Sequence, residues 1–122
     1  MSKHVVDVGN CVPDHTAIRR LVEANFDARV TRACGLVDVL ALLARGDVDL
    51  VLVNRKLDRD YSDGLAIIQR LKSDPQTAHV PVMMITNYPE HQQLAVEAGA
   101  EPGFGKAALS DLATLQTLGR VL

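Results

Sequence analysis

Asp7, Asn10, Asn54, Thr86 and Lys106 each stand at or just beyond the end of a short apolar run. If the fold brings these ends to one edge, a carboxylate, amides, a hydroxyl and an amine converge there. Such a set suits a phosphate group or a divalent cation. Taken singly the residues say less. A threonine at a strand end is usually a cap or a β-former, and a lone lysine between a glycine-rich strand and a helix is usually solvated. Arg55 and Lys56 follow Asn54 directly. They read either as a solvated loop or as an anion-facing pair beside the same edge. His4, His15, His79 and His91 show no metal-ligand spacing. No phosphate-binding glycine loop and no nucleophile elbow is present.

The elements that must carry these residues alternate along the chain. Val5–Val8 is apolar and closes on Gly9-Asn10, a turn signal. Pro13-Asp14 opens a helix with Ile18, Leu21, Val22 and Phe26 on one face, and Asp14 is expected to cap it. Ala28–Ala33 reads as a more polar strand suited to a sheet edge. Leu36, Val39, Leu40 and Leu43 mark a second helix, stopped by Gly46. Leu50–Val53 is a continuous apolar run, as expected of a strand buried on both faces. The charged segment from Asn54 to Tyr61 leads to Ser62, the expected cap of a third helix with Leu65, Ile68 and Leu71. The fourth strand spans 80–86 with Pro81 near its start, where no ladder donor is needed. A fourth helix begins at Pro89, Gly103–Gly105 forms a short fifth strand, and a last helix from about Ser110 carries Leu112, Leu115, Leu118 and Leu122 in one stripe. A βα unit repeated five times predicts a doubly wound, five-stranded parallel sheet with helices on both faces, a three-layer α/β/α domain.

Bulk properties narrow the class. The 122 residues fit one domain, and no linker or repeat divides them, so residues 1–122 are expected to form a single unit with no output domain. A net charge of −2 gives no basic excess to attract nucleic acid or anionic lipid. No apolar run is long enough to span a bilayer and no secretory signal is evident, so a cytoplasmic protein is expected. Cys11 and Cys34 then read as reduced thiols. Aromatic residues make up 3%, which leaves little to stack on a flavin or base and disfavours a flavodoxin-like small-ligand binder.

Four segments in order resemble the receiver domain of two-component response regulators. Asp49–Asn54 is similar to the family's third strand, Asp63-Gly64-Leu65 to its "DGL" helix start, and Pro81–Thr86 to its fourth strand with the switch hydroxyl. Ala98-Gly99-Ala100, followed by Lys106, is similar to the stretch leading to its active-site lysine. The resemblance covers the chain and implies the flavodoxin-like (βα)5 fold. It also implies that Asn54 occupies the position of the phosphorylated aspartate, with Asp7, Asn10, Thr86 and Lys106 as the equivalents of the surrounding site.

The departures bear on function. Receivers accept a phosphoryl group on a carboxylate nucleophile, and Asn54 is a neutral amide. The family holds Mg²⁺ with an acidic pair and the phosphorylated aspartate. Here Asp7 is one weak candidate ligand and Asn10 supplies no second acid, so no cofactor is expected and Mg²⁺ binds weakly at best. Against the family, the segment from Asn54 to Gly64 is longer by about two residues, Ala107 replaces a proline, and the switch aromatic falls on Gly103 or Phe104. A buried amine without a partner is costly, which predicts a Lys106–Asp7 contact in place of the missing carboxylate.

The sequence thus points to an atypical receiver that acts in signalling by binding protein, without phosphorylation and without enzymatic activity. Its partner would be a histidine kinase or another signalling protein, and a homodimer would use the fourth helix, fifth strand and fifth helix. The alternative is a phosphoaccepting receiver with a displaced carboxylate, Asp7 or Asp58, with Asp60 a weaker candidate on the same loop.

Overall fold

The computed structural model describes residues 2–122. Five strands, β1 (Lys3–Val8), β2 (Ala28–Ala33), β3 (Leu50–Asn54), β4 (Val82–Ile85) and β5 (Glu101–Phe104), form one parallel sheet in the order β2-β1-β3-β4-β5. Helices α1 (Val12–Asn25), α2 (Leu36–Leu43), α3 (Gly64–Ser73), α4 (Pro89–Glu97) and α5 (Leu112–Gly119) connect or follow them. A short 3₁₀ turn, Lys106–Ala108, precedes α5. The architecture is the expected doubly wound α/β/α domain, with the polar β2 on an edge as its composition required.

Alternation along the buried strands separates two apolar layers. Val6, Val8, Val51, Val53 and Met84 face α2, α3 and α4 through Val39, Ile68 and Ala95. Val5, Leu50, Leu52, Met83 and Ile85 face α1 and α5 through Ile18, Val22 and Leu118. Strand residues two apart share a face, so Asp7 has the parity of Val5 and points toward α1. That parity decides its partner, as described below.

Local boundaries differ from expectation for physical reasons. Cys11, not Asp14, precedes α1, with Pro13 in the first turn, and this frees the Asp14 carboxylate for another role. Asp63, not Ser62, caps α3 by accepting from the Leu65 N–H at 2.9 Å. In α5 the expected leucine stripe is interrupted. Leu112 is 69% exposed, whereas Thr114 is buried and donates its hydroxyl to the Ala108 carbonyl.

β4 and β5 pair irregularly between Met83 and Ile85. Gln92 of α4 closes the gap. Its amide donates to the Met84 carbonyl at 2.9 Å and accepts from the Gly103 N–H at 2.9 Å. Gly103 is required at this close approach, because a Cβ would overlap the Met84 carbonyl oxygen.

Candidate functional site

All five strands point the same way, so their carboxyl ends share one edge, where open α/β sheets place their functional groups. Gly9 organises that edge. Its backbone is left-handed (φ 82°), and a Cβ there would overlap the Leu57 side chain. The Gly9 N–H donates to the Ala33 carbonyl, and the Gly9 carbonyl accepts from the Asp58 N–H at 2.8 Å. The same carbonyl accepts from the Asn54 amide at 3.1 Å. One residue thereby joins the ends of β1, β2 and β3.

Asn54, at the end of β3, is held through its amide. Its Nδ2 donates to two backbone carbonyls, Gly9 at 3.1 Å and Lys56 at 2.6 Å. Only a donor satisfies both, and a carboxylate at this point would face two oxygens. The amide is therefore part of the loop's own hydrogen bonding.

Asp7 is fully buried. One of its oxygens accepts a short hydrogen bond from the Asn10 amide, and the other lies 2.8 Å from His15 Nδ1. Burial pushes its carboxyl above the ordinary range, and the bonds from Asn10 and His15 pull the other way. Asn10 is itself buried, with its Oδ1 lacking a partner among the described residues, while its backbone carbonyl accepts from Arg32 at 3.1 Å.

The expected Lys106–Asp7 contact is not formed. Lys106 Nζ instead donates to Asp14 Oδ2 at 2.7 Å. Asp14 is available because Cys11 stands at the helix cap, and Asp7 is already saturated by α1 and its own loop. The hydrogen bond from Lys106 holds the Asp14 carboxyl below the usual range. His15 was the residue that sequence spacing did not reveal. The available signal was strand parity, because an inward-facing acid at the end of β1 meets the first turn of α1.

The donor set fits Mg²⁺ poorly. Mg²⁺ prefers charged oxygens in octahedral geometry. Asp7, the one buried acid among the described residues, has both oxygens engaged, Asn10 turns its NH₂ toward it, and Asn54 turns its NH₂ toward carbonyls. Among the described residues no group of three or more His, Cys, Asp or Glu is arranged to hold a metal ion.

Beyond these buried groups lies an open cleft of about 260 Å³, lined by Asn54, Arg55, Lys56, Thr86, Asn87 and Lys106 among others. Thr86 accepts from the Tyr88 N–H at 3.3 Å, and Asn87 accepts from the Ala107 N–H at 3.0 Å, fixing the far wall. Arg55 Nε donates to His91 Nε2 at 3.2 Å. Among the described residues neither Arg55 nor Lys56 forms an ion pair. The alternative acceptors stand elsewhere. Asp58 and Asp60 are exposed and do not line this cleft, and Asp60 accepts from the Ser62 N–H and hydroxyl, which lower its carboxyl. Phe104, the aromatic at the β5 position, is buried in the layer facing α1 and α5.

The response regulator receiver domain model matches residues 10–112. The chain belongs to this receiver family. Response regulator PleD of Caulobacter vibrioides is 35% identical over 78 residues, which cover 62% of this chain and 17% of that protein. A probable cyclic di-GMP phosphodiesterase of Vibrio cholerae is 36% identical over 63 residues, covering 50% of this chain and 14% of that protein. The receiver thus spans a small fraction of the curated relatives it matches. Among solved structures, the chemotaxis response regulator CheY4 of Vibrio cholerae superposes with a TM-score of 0.76 at 19% identity, covering 100% of both chains. The signal receiver domain of a DNA-binding response regulator from Colwellia psychrerythraea gives 0.78 at 23% identity, covering 98% of this chain and 96% of that one. These likenesses carry the fold. No helix among the described residues is long and apolar enough to cross a membrane.

Proposed function

We propose that this receiver works as an atypical, phosphorylation-independent protein-interaction module in two-component signalling, with no enzymatic activity of its own. The observation that carries this reading is the commitment of the Asn54 amide to the Gly9 and Lys56 carbonyls. Phosphoryl acceptance needs an exposed carboxylate with a metal or equivalent charge beside it. At this edge Asn54 is a donor, the acid at the end of β1, Asp7, is buried and bonded, and cations line the open space. Mg²⁺ affinity follows as weak, on the order of millimolar.

The partner is proposed to be a histidine kinase or another signalling protein in the cytoplasm. Pairing of two copies through α4, β5 and α5 belongs to the same proposal. An open groove of about 500 Å³ runs there between Pro89, Gln92, Phe104 and Ala108.

The test is incubation with a small phosphodonor and Mg²⁺, followed by intact mass after denaturation. The expected spectrum is unmodified protein. A stoichiometric phosphoryl adduct that maps to Asp7, Asp58 or Asp60 overturns the reading in favour of a displaced acceptor.

A further inference from the structure

A second pocket, of about 120 Å³, lies where the start of α3 meets α4. Its walls are Arg55, Asp63, Leu65, Met84, His91 and Leu94. Met84 is buried on the sheet face that α3 and α4 cover, and it supplies an apolar base. Leu65 stands in the first turn of α3, and His91 and Leu94, three residues apart, share one side of α4. Arg55 follows β3 directly, and Asp63 caps α3. A cavity of roughly 150 Å³ holds a benzene-sized molecule, so this one takes a ligand of a few heavy atoms.

The polar groups of the pocket are left open. Arg55 and Asp63 carry opposite charges and line the same space. Yet among the described residues neither makes an ion pair, with the other or with any third side chain. Asp63 uses one oxygen to accept the Leu65 N–H at 2.9 Å. Arg55 gives its Nε–H to His91 Nε2 at 3.2 Å, so the neutral imidazole carries its own proton on Nδ1. That Nδ1 is buried and has no partner among the described residues. A buried donor left unpaired is costly, and an anionic oxygen brought beside the ring supplies the missing acceptor. The pocket therefore offers donors for an anion, a carboxylate for a cation, and an apolar wall.

We propose that this pocket binds a small apolar α-amino acid about the size of valine. Its carboxylate pairs with the Arg55 guanidinium and accepts from His91 Nδ1–H. Its ammonium meets Asp63, and its side chain packs on Leu65, Met84 and Leu94. A zwitterion matches two opposite charges that do not reach each other. A simple anion is repelled by Asp63, and a simple amine by Arg55. Recognition does not use Asn54, so it stands apart from whether the chain accepts a phosphoryl group. Once bound, the ligand ties the cap of α3 to α4.

The test titrates L-valine against the isotope-labelled full chain and follows amide and methyl shifts. Saturable shifts centred on Asp63–Leu65, Met84 and His91–Leu94 are expected. Half-saturation is expected at or below about 10 mM, the strength of one or two charge-assisted hydrogen bonds. Isovalerate lacks the ammonium and isobutylamine lacks the carboxylate, and each is expected to bind about tenfold more weakly. D-valine is expected to bind more weakly as well, because three separate contacts select one hand. Asp63→Asn keeps the α3 cap, since the Asn carbonyl accepts the same Leu65 N–H. It is expected to weaken L-valine by about tenfold without weakening isovalerate. Arg55→Gln is expected to weaken both. An absence of saturable shifts at these residues, or full L-valine affinity in Arg55→Gln, overturns the site. Equal affinity for isovalerate and L-valine, or undiminished L-valine affinity in Asp63→Asn, overturns the zwitterionic ligand.

Discussion

Lys106 and Asp14 meet at 2.7 Å across the carboxyl edge, although 92 positions separate them in the chain. The contact ties the start of α1 to the turn that follows β5, on either side of the sheet's centre. Both side chains are about a third or more exposed, so solvent screens the pair. A double-mutant cycle of Lys106→Met and Asp14→Asn in denaturant is expected to give a coupling of roughly 0.5–1 kcal/mol. The Asp14 carboxyl is held low in the folded state. The coupling is therefore complete above the ordinary carboxylate range and lost as pH falls through the depressed value. A cycle of Lys106→Met with Asp7→Asn is expected to show a smaller coupling, since Lys106 acts on Asp7 through charge without a hydrogen bond, and a larger coupling there than with Asp14 would reverse the assignment.

Asp7 behaves in the opposite sense. Burial raises its carboxyl in the folded state, so the folded protein binds a proton more readily than the unfolded chain does. Stability is expected to decline as pH rises from the unfolded carboxylate range through the raised value. Asp7→Asn keeps a side chain of the same size and removes that slope, so stability curves of the two proteins converge at neutral pH or cross in favour of the variant. Asp7→Ala instead strands Asn10 and His15 and costs roughly 2–4 kcal/mol. Chemical denaturation across pH separates these outcomes.

Gly64 positions the Asn54 loop from the other side. A Cβ at Gly64 would overlap the Asn54 carbonyl oxygen and press on Val53 Cγ1. The Gly64 N–H also donates to the Arg55 carbonyl at 2.6 Å. Gly64→Ala is expected to destabilise the domain by roughly 2–4 kcal/mol, since the nearest atom, the Asn54 carbonyl oxygen, is backbone and cannot rotate away. A loss under 1 kcal/mol, on the order of a surface substitution, would mean that the α3 start yields easily and does not constrain the edge.

How far the sequence reached depends on the kind of constraint. The strands were legible because Leu50–Val53 and Val5–Val8 are buried on both faces, and burial of that kind leaves an uninterrupted apolar run. The edge position of β2 followed from its polar residues. The site's members were legible as strand-end polar groups, but their pairing was not. Whether Lys106 reaches Asp7 or Asp14 turns on which residue precedes α1, a difference of a few positions that periodicity does not resolve. The His15 contact needed the facing of Asp7 as well as its place in the strand. Leu112 failed as a core residue because the 3₁₀ turn at Lys106–Ala108 delays α5 and brings Thr114 inward.

Restoring acids to the edge tests the whole description. Asn54→Asp alone replaces a donor that serves the Gly9 and Lys56 carbonyls with a group that can only accept. A loss of roughly 1–3 kcal/mol is expected from the two carbonyls left facing a carboxylate. Mg²⁺ affinity should stay weak, because Asp7 remains held by Asn10 and His15. Asn10→Asp combined with Asn54→Asp changes the balance. Like charges then crowd Asp7 at a buried point, and a divalent cation relieves that repulsion while supplying the bridging charge. The combined variant is expected to be less stable than either single variant without metal and to recover with Mg²⁺ in a concentration-dependent manner. It is also expected to accept phosphate slowly from a small donor, since positioning and charge neutralisation supply most of phosphoryl-transfer catalysis. Arg55 and Lys56 remain in the cleft and oppose the metal, so the rate should rise further in an Arg55→Gln, Lys56→Gln background. Denaturant midpoints with and without Mg²⁺, together with intact mass after donor treatment, read both effects. Metal-dependent stabilisation of Asn54→Asp alone to the same extent would show that Asn10 does not limit Mg²⁺ binding at this edge.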